Sequence, residues 1–229
     1  MANSGGYLSN LAAFILKGFR HHSVKEYYNA SAVNYDAAMK SQDELVEIII
    51  KCMPECEKAL DIAMGTGITS VHMKKKCKTL VSLDFSDGMI SEGRKKLGLE
   101  ANIIKADFLH IPLKDNSVEV SACTGAIRHI PGYYYEQYFS EISRVTKECF
   151  ITEARRYTGF EKLFYNVYGF CMGLLGHNEQ PLNSDMHKLR RALSSKGFRG
   201  QVLHQLMGSD RNYILAAFKM EVKEKCQCP

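Results

Sequence analysis

Residues 59–67 carry the feature that most restricts the fold of this chain. An apolar run, Ala-Leu-Asp-Ile-Ala-Met, leads directly into two glycines, Gly65 and Gly67, which one threonine separates. A second apolar run, 79–83, ends in Asp84, which follows Asp61 by 23 residues (84 − 61). That distance fits one strand–helix–strand unit, in which glycines let a ligand approach the backbone and the second acid reaches a ribose. The pattern therefore predicts a parallel α/β fold with a ligand site at the glycine loop.

The loop departs from the fingerprint of dinucleotide-binding proteins. That fingerprint needs a third glycine, and Ser70 stands at its position. The Asp61 carboxylate just ahead of the loop would also repel a pyrophosphate. The same carboxylate would favour a cofactor that carries an ammonium, a sulfonium and no phosphate, and S-adenosylmethionine is such a molecule.

In its motifs the chain resembles the class I S-adenosylmethionine-dependent methyltransferases, of the small-molecule type that includes the quinone-biosynthesis C-methyltransferases. The first motif of that family is an apolar pair, an acid and spaced glycines, which Asp61, Gly65 and Gly67 match. Ala63 stands where the family usually has its first glycine. The motifs follow in the family's order over residues 59–153, and this order makes the resemblance specific.

The resemblance implies roles for five residues on the next two strands. Asp84 would hold the ribose hydroxyls, with Phe85 directly after it, and Met89 would pack near the adenine. Asp107 would meet the adenine amino group, and Phe108 would flank the ring. These assignments predict a cofactor cleft that crosses the ends of neighbouring strands.

The loop after the fourth strand would face the methyl group in such an enzyme, which puts Thr124 and Gly125 beside the cofactor. His129 is the leading candidate for a general base, because a neutral imidazole suits proton removal. Arg128 could hold an anionic substrate. The alternatives are a histidine that only caps or packs and an arginine in solvent. Tyr35, part of a Tyr-Asp pair ahead of the first core helix, resembles the lid that closes over the cofactor in the quinone-type enzymes.

Local signals for helices and strands agree with the fold of that family. Ser86 and Gly98 can cap the two ends of one helix, and Ser184 begins another. Two strand-like runs, 202–203 and 213–217, read as a hairpin near the end of the chain. The expected fold class is α/β, a Rossmann-like, doubly wound, mostly parallel seven-stranded sheet with one antiparallel strand and helical cap elements.

The length of 229 residues and the ordinary composition favour one domain that spans the chain. Within it we expect an N-terminal helical cap, a cofactor-binding core, a cap insertion, a C-terminal helix with a hairpin, and a tail. Their expected bounds are 1–40, 41–156, 157–183, 184–220 and 221–229.

Two helical caps are expected to decide the substrate. In the first, an apolar helical face formed by Leu8, Leu11, Ile15 and Phe19 should pack on the protein's own surface; the alternative is a peripheral membrane contact. The second cap, 157–183, holds a helix that is apolar over much of its girth, which is typical of a buried core. Its place after the fifth strand also leaves open an apolar or aromatic substrate pocket or an interface between subunits.

Composition limits the partners and the location. The formal net charge of +5 comes without a dense basic stripe, so nucleic acid is not an expected partner. Eight cysteines without a signal peptide predict reduced thiols in the cytoplasm. The cysteine spacings do not form a zinc motif, so no metal is expected, although a soft-metal role as in arsenic methylation stays an alternative. No run approaches the roughly 20 apolar residues that cross a bilayer.

The expected function is transfer of a methyl group from S-adenosylmethionine to a small-molecule acceptor by in-line displacement. Three alternatives remain open: a non-catalytic cofactor-binding protein of the same fold, an NAD-dependent oxidoreductase and a nucleic-acid methyltransferase. The acceptor, with apolar or aromatic molecules as one option, and the oligomeric state are left undetermined by the sequence.

Overall fold

A computed structural model describes residues 23–38, 43–174, 181–205 and 212–219 of the chain. These residues contain α-helices and β-strands in alternation. The helices are α1 (Val24–Ala38), α2 (Asp43–Cys52), α3 (Ile68–Met73), α4 (Asp87–Leu97), α5 (Tyr135–Val145), α6 (Gly159–Leu174) and α7 (Met186–Ser195). The strands are β1 (Cys56–Ile62), β2 (Cys77–Asp84), β3 (Asn102–Lys105), β4 (Val118–Cys123), β5 (Thr146–Arg155), β6 (Phe198–Gln205) and β7 (Asn212–Lys219).

These strands form one seven-stranded sheet in the order β3-β2-β1-β4-β5-β7-β6. The pairs from β3 through β5 are parallel, whereas β7 runs antiparallel to both of its neighbours. The predicted fold class is therefore confirmed, including the single antiparallel strand and the C-terminal strand pair. The strand order reverses between β1 and β4, and ligands of open α/β sheets bind in the crevice at such a point.

Alternation along the strands builds an apolar core on each face of the sheet. Phe150 of β5 faces a cluster with the buried sides of α5 and α7, and its neighbours Cys149 and Ile151 face a second cluster with α2. Successive strand residues point to opposite faces of the sheet. Because both faces carry apolar clusters, helices cover the sheet on both sides. The strand ends stay open between these layers.

The helix boundaries agree with the local signals at most positions. Ser86 caps α4 by accepting from the Met89 amide at 3.2 Å, and Gly98 ends that helix with φ of 92°. The predicted start at Ser184 is wrong by a short step. Asp185 is the N-cap of α7, because its carboxylate accepts from two amides of the first turn.

The expectation of a buried helix in the second cap is also wrong. Helix α6 leaves a row of large apolar side chains exposed, of which Phe160 is the most open. The apolar helical face expected from Leu8 to Phe19 lies outside the described residues. No helix in the described part of the chain has the length and apolar character to cross a membrane.

Candidate functional site

The glycine loop joins β1 to α3 through backbone conformations that favour glycine. Gly65 and Gly67 have φ angles of 56° and 80°, and Ala63 has a φ of 57° although it carries a side chain. A Cβ on Gly67 would lie 3.4 Å from the Leu97 side chain, so the loop packs closely against α4. The loop therefore turns sharply at the end of β1 and presents its backbone to the crevice.

Asp84, at the end of β2, is tied to this loop. Its Oδ2 accepts from the Gly65 amide at 2.8 Å, and its Oδ1 accepts from the Ser86 amide at 2.9 Å. Burial raises the pKa of Asp84 above its usual range, and these backbone donors oppose that rise. The amide that would cradle a phosphate in a dinucleotide site thus faces a carboxylate instead.

A cavity of about 330 Å³ opens at the carboxyl ends of the strands. It lies within the size range of small-molecule sites. Eleven of the fourteen residues that the sequence singles out for the site line this cavity. They are Tyr35, Ala63, Gly65, Asp84, Phe85, Met89, Asp107, Phe108, Thr124, Gly125 and His129.

The other three predicted residues, Asp61, Gly67 and Arg128, lie outside the cavity lining. Asp61 is fully buried beneath the loop, where Ser70 donates to its Oδ2 at 2.5 Å. Burial raises the pKa of Asp61 to about 7, against the opposing hydrogen bond from Ser70. The structure therefore does not place the Asp61 carboxylate at the cavity wall beside those of Asp84 and Asp107.

His129 reaches the cavity from a short 3₁₀ helix, Ile127–His129, that follows β4. Its Nε2 lies 2.8 Å from the Tyr28 hydroxyl, and the two rings meet edge to face with centroids 5.4 Å apart. Tyr28 also lies edge-on to Tyr35, at 6.1 Å between centroids. Three aromatic rings from two distant parts of the sequence thus form one wall.

A buried carboxylate lies behind this wall. Glu153, near the end of β5, accepts from the Gly125 amide at 2.7 Å through Oε1. Among the described residues nothing donates to its buried Oε2. Burial raises the pKa of Glu153, whereas the nearby charges of Arg128 and His129 oppose that rise. Arg128 is exposed, but its charge opposes the rise that burial causes in the pKa of both Glu153 and Tyr35.

Comparisons with known proteins agree with this geometry. Residues 59–149 match the model of a family described as methyltransferase domain. A demethylmenaquinone methyltransferase from Corynebacterium glutamicum is 31% identical over 91 residues, 40% of this chain and 37% of that protein. One from Bacillus velezensis is 25% identical over 159 residues, 64% of this chain and 66% of that protein. The chain thus spans less than two thirds of the length of these relatives.

Residues 59–149 are therefore similar to a methyltransferase domain. The fold extends the likeness beyond that segment. The crystal structure of magnesium protoporphyrin IX methyltransferase from Synechocystis PCC 6803 with bound S-adenosylmethionine covers 79% of this chain and 78% of its own, with a TM-score of 0.54 and 14% identity. The resemblance inferred from the motifs is therefore confirmed.

Of the roof of this cavity, sequence reasoning found Tyr35 and missed Tyr28 and Asn29. Helix α1 supplies both Tyr28 and Tyr35 to the cavity lining. Asn29 holds this helix to the segment that follows β2, because its side-chain oxygen accepts from the Ser86 hydroxyl at 2.7 Å and from the Gly88 amide at 2.9 Å. Asp36 accepts from the Thr66 hydroxyl of the glycine loop at 2.5 Å. The spacing of Tyr28, Ala32 and Tyr35 on one helical face is a signal that could have found this wall.

The remaining site residues have local structural partners. Asp107 is exposed at the rim, where its Oδ1 accepts from the Leu109 amide at 2.9 Å. The Thr124 hydroxyl lies 3.2 Å from that of Thr69 in α3. No group of three or more His, Cys, Asp or Glu side chains within the described ranges is placed to hold a metal ion.

Proposed function

We propose that this chain transfers a methyl group from S-adenosylmethionine to a small-molecule acceptor by in-line displacement. One observation carries the proposal: the glycine loop and the carboxylates of Asp84 and Asp107 converge on one cavity at the strand ends. The Gly65 amide already donates to Asp84, so the cavity presents negative charge where a dinucleotide needs a donor to phosphate. This arrangement fits a nucleoside that carries an ammonium and a sulfonium.

The residues that would hold the cofactor follow from their places on the wall. Asp84 would bind the ribose hydroxyls, because its fixed carboxylate faces the cavity at the end of β2. Asp107, Phe108 and Met89 would surround the adenine, and Tyr35 would cover the cofactor from α1. When bound, S-adenosylmethionine supplies an already activated methyl group. The chain's own task is to align the acceptor and to exclude water.

Proton removal is assigned to His129, with Tyr28 as its partner. In the tautomer with its proton on Nδ1, the imidazole accepts the Tyr28 hydroxyl at Nε2 across 2.8 Å. A proton that leaves the acceptor can then pass through the Tyr28 hydroxyl to Nε2. The positive charge that forms on His129 would lie near the buried Glu153 carboxylate, which favours it.

The acceptor side of the cavity supports an apolar or aromatic acceptor. Pro131 and Tyr134 line the cavity together with Tyr28, and these rings can stack on a flat molecule. Arg128, whose charge reaches Tyr35, suits an acceptor with an anionic group. We propose a cytoplasmic location, which the thiols of Cys56, Cys77 and Cys123, which form no disulfide, support.

Calorimetry and methyl transfer test the proposal together. S-adenosylhomocysteine should bind to the purified chain and NAD should not, and radiolabelled methyl groups should appear on one fraction of small metabolites. Tyr28→Phe and His129→Gln should each slow transfer by about 100-fold. Both variants should keep the wild-type affinity for S-adenosylhomocysteine. Binding of NAD in place of S-adenosylhomocysteine would refute the proposal, and binding without any transfer would indicate a non-catalytic relative.

A further inference from the structure

Helix α6 exposes a stripe of large apolar side chains that no described residue covers. The stripe consists of Phe160, Leu163, Phe164, Val167 and Phe170, with exposed fractions between 54% and 80%. Single exposed apolar residues are ordinary, but a contiguous row of this kind marks an interaction surface. The opposite side of α6 faces its own domain, where Tyr165 packs edge-on against Tyr157 at 5.3 Å between centroids.

The spacing of the stripe is that of a helix–helix seam. Four of its members, Phe160, Leu163, Val167 and Phe170, follow each other by steps of 3, 4 and 3 residues. Apolar residues at alternating steps of three and four form the narrow face with which one helix packs against another. The order of steps is the same in both directions. Two antiparallel copies of this helix can therefore match their seams residue by residue.

The charges around the stripe favour a protein partner over a membrane surface. The charged residues of α6 are Glu161 and Lys162, both in its first turn. Glu161 lies 3.5 Å from Arg155, and Lys162 lies 3.3 Å from Asp185, so both have intramolecular ion pairs. Residues 163–174 contain no charged side chain. Helices that bind at a lipid interface carry several lysine and arginine residues on their polar face, whereas α6 carries one lysine, which is paired with Asp185.

We propose that α6 is the interface of a homodimer, in which two copies pack this helix antiparallel about a two-fold axis. Leu163 of each copy would lie opposite Val167 of the other, and Phe160 opposite Phe170. A fully exposed phenylalanine side chain has about 200 Å² of surface, and leucine and valine have somewhat less. Multiplied by the exposed fractions, these areas give roughly 600 Å² of exposed stripe per copy. Two copies would bury about 1,200 Å², which reaches the lower limit of stable specific interfaces. This inference is independent of the proposed function.

Sedimentation of the full chain at micromolar concentrations tests the proposal. The wild type should be a dimer and Leu163→Glu a monomer. Leu99→Glu is the matched control, because Leu99 is 82% exposed after α4, far from the stripe in sequence. This control should remain a dimer. Circular dichroism should show that both variants keep the wild-type fold. A monomeric wild type, or a dimeric, folded Leu163→Glu variant, would overturn the proposal.

A charge-pair experiment tests the register. Leu163→Glu and Val167→Lys chains should each be monomeric alone and should form a one-to-one heterodimer when mixed, because the two new charges would face each other across the axis. Absence of the heterodimer would overturn the antiparallel pairing. Sedimentation with phosphatidylcholine vesicles tests whether the stripe contacts a membrane instead. If the wild type sediments with them as a monomer and Leu163→Glu does not, the stripe is a membrane contact and the dimer is refuted.

Discussion

The buried carboxylate of Asp61 makes the stability of this protein depend on pH in an unusual direction. The residue is fully buried, one oxygen accepts from Ser70, and no described residue donates to the other. Burial raises its pKa from 3.8 to about 7. The folded chain therefore binds a proton that the unfolded chain releases at lower pH. The native state is favoured below pH 4 by this group and loses that advantage as pH rises towards 7.

The size of the effect follows from the two pKa values. Between pH 5 and pH 8 the unfolded chain has released the Asp61 proton, whereas the folded chain releases it only near pH 7. Integration of the proton difference gives a loss of about 2–3 kcal/mol in the free energy of unfolding over this range. Above the pKa of the folded state the loss levels off.

Asp61→Asn removes this titration and keeps an oxygen that can accept from Ser70. Urea unfolding at pH 5 and pH 8 should show that the free energy of unfolding of the variant rises by about 2–3 kcal/mol relative to the wild type between the two pH values. Glu100→Gln changes an exposed carboxyl and should follow the wild type at both values. If Asp61→Asn and the wild type lose the same free energy between the two values, the buried, proton-binding state of Asp61 is refuted.

Three further substitutions test the cavity. Asp84→Ala should weaken binding of S-adenosylhomocysteine by about 1–3 kcal/mol in calorimetry, because a buried hydrogen-bonding partner of the ribose is lost. Gly88→Ala should weaken the same binding several-fold, because its Cβ would lie 2.7 Å from the Asn29 carbonyl oxygen and would push α1 away from the cavity. Ala63→Gly should raise the free energy of unfolding by up to about 1 kcal/mol, because it relieves a left-handed conformation at φ of 57°.

Matched controls accompany these variants. Asp87→Ala alters an exposed acid in the first turn of α4 and should leave the affinity unchanged; an equal loss in both variants would contradict the ribose assignment. Gly159→Ala adds a methyl group in open space and should also bind normally. Ala30→Gly lies mid-helix and exposed in α1 and should destabilise the fold by about 1 kcal/mol. If Ala63→Gly does the same, its backbone is not strained.

The sheet and much of the cavity lining could be predicted because their signals are local. A strand that ends in an acid and a glycine loop restricts the backbone within a few residues, and parallel strands bring such ends together. Asp84, Asp107 and the glycines were found in this way. The alternation of side chains along β1 could also have predicted that Asp61 lies outside the cavity lining. It alternates with Leu60 and Ile62, so its side chain enters the opposite layer of the sheet.

The parts that could not be predicted depend on contacts distant in sequence. Tyr28 meets His129 across 101 residues, and no local pattern relates the two. Helix α6 has apolar residues on most sides, and such a sequence does not say which side meets its own domain. In the structure Tyr165 packs against Tyr157, whereas Phe160 and its neighbours are exposed, so the helix is not the buried core that its composition suggested.

Hydrogen bonds hold helix α1 at two points to the segments beneath it that line the cavity. Asn29 holds the segment after β2 and Asp36 holds the glycine loop, and Lys96 forms an ion pair with that same carboxylate. In the proposed reaction, S-adenosylhomocysteine beneath this helix would leave after at least one of these contacts opens. We expect departure of the product, rather than the methyl transfer itself, to set the pace of the reaction. Removal of the Asn29 contacts would then shorten the residence time of S-adenosylhomocysteine, raise the rate of the proposed reaction and lower the affinity for S-adenosylhomocysteine.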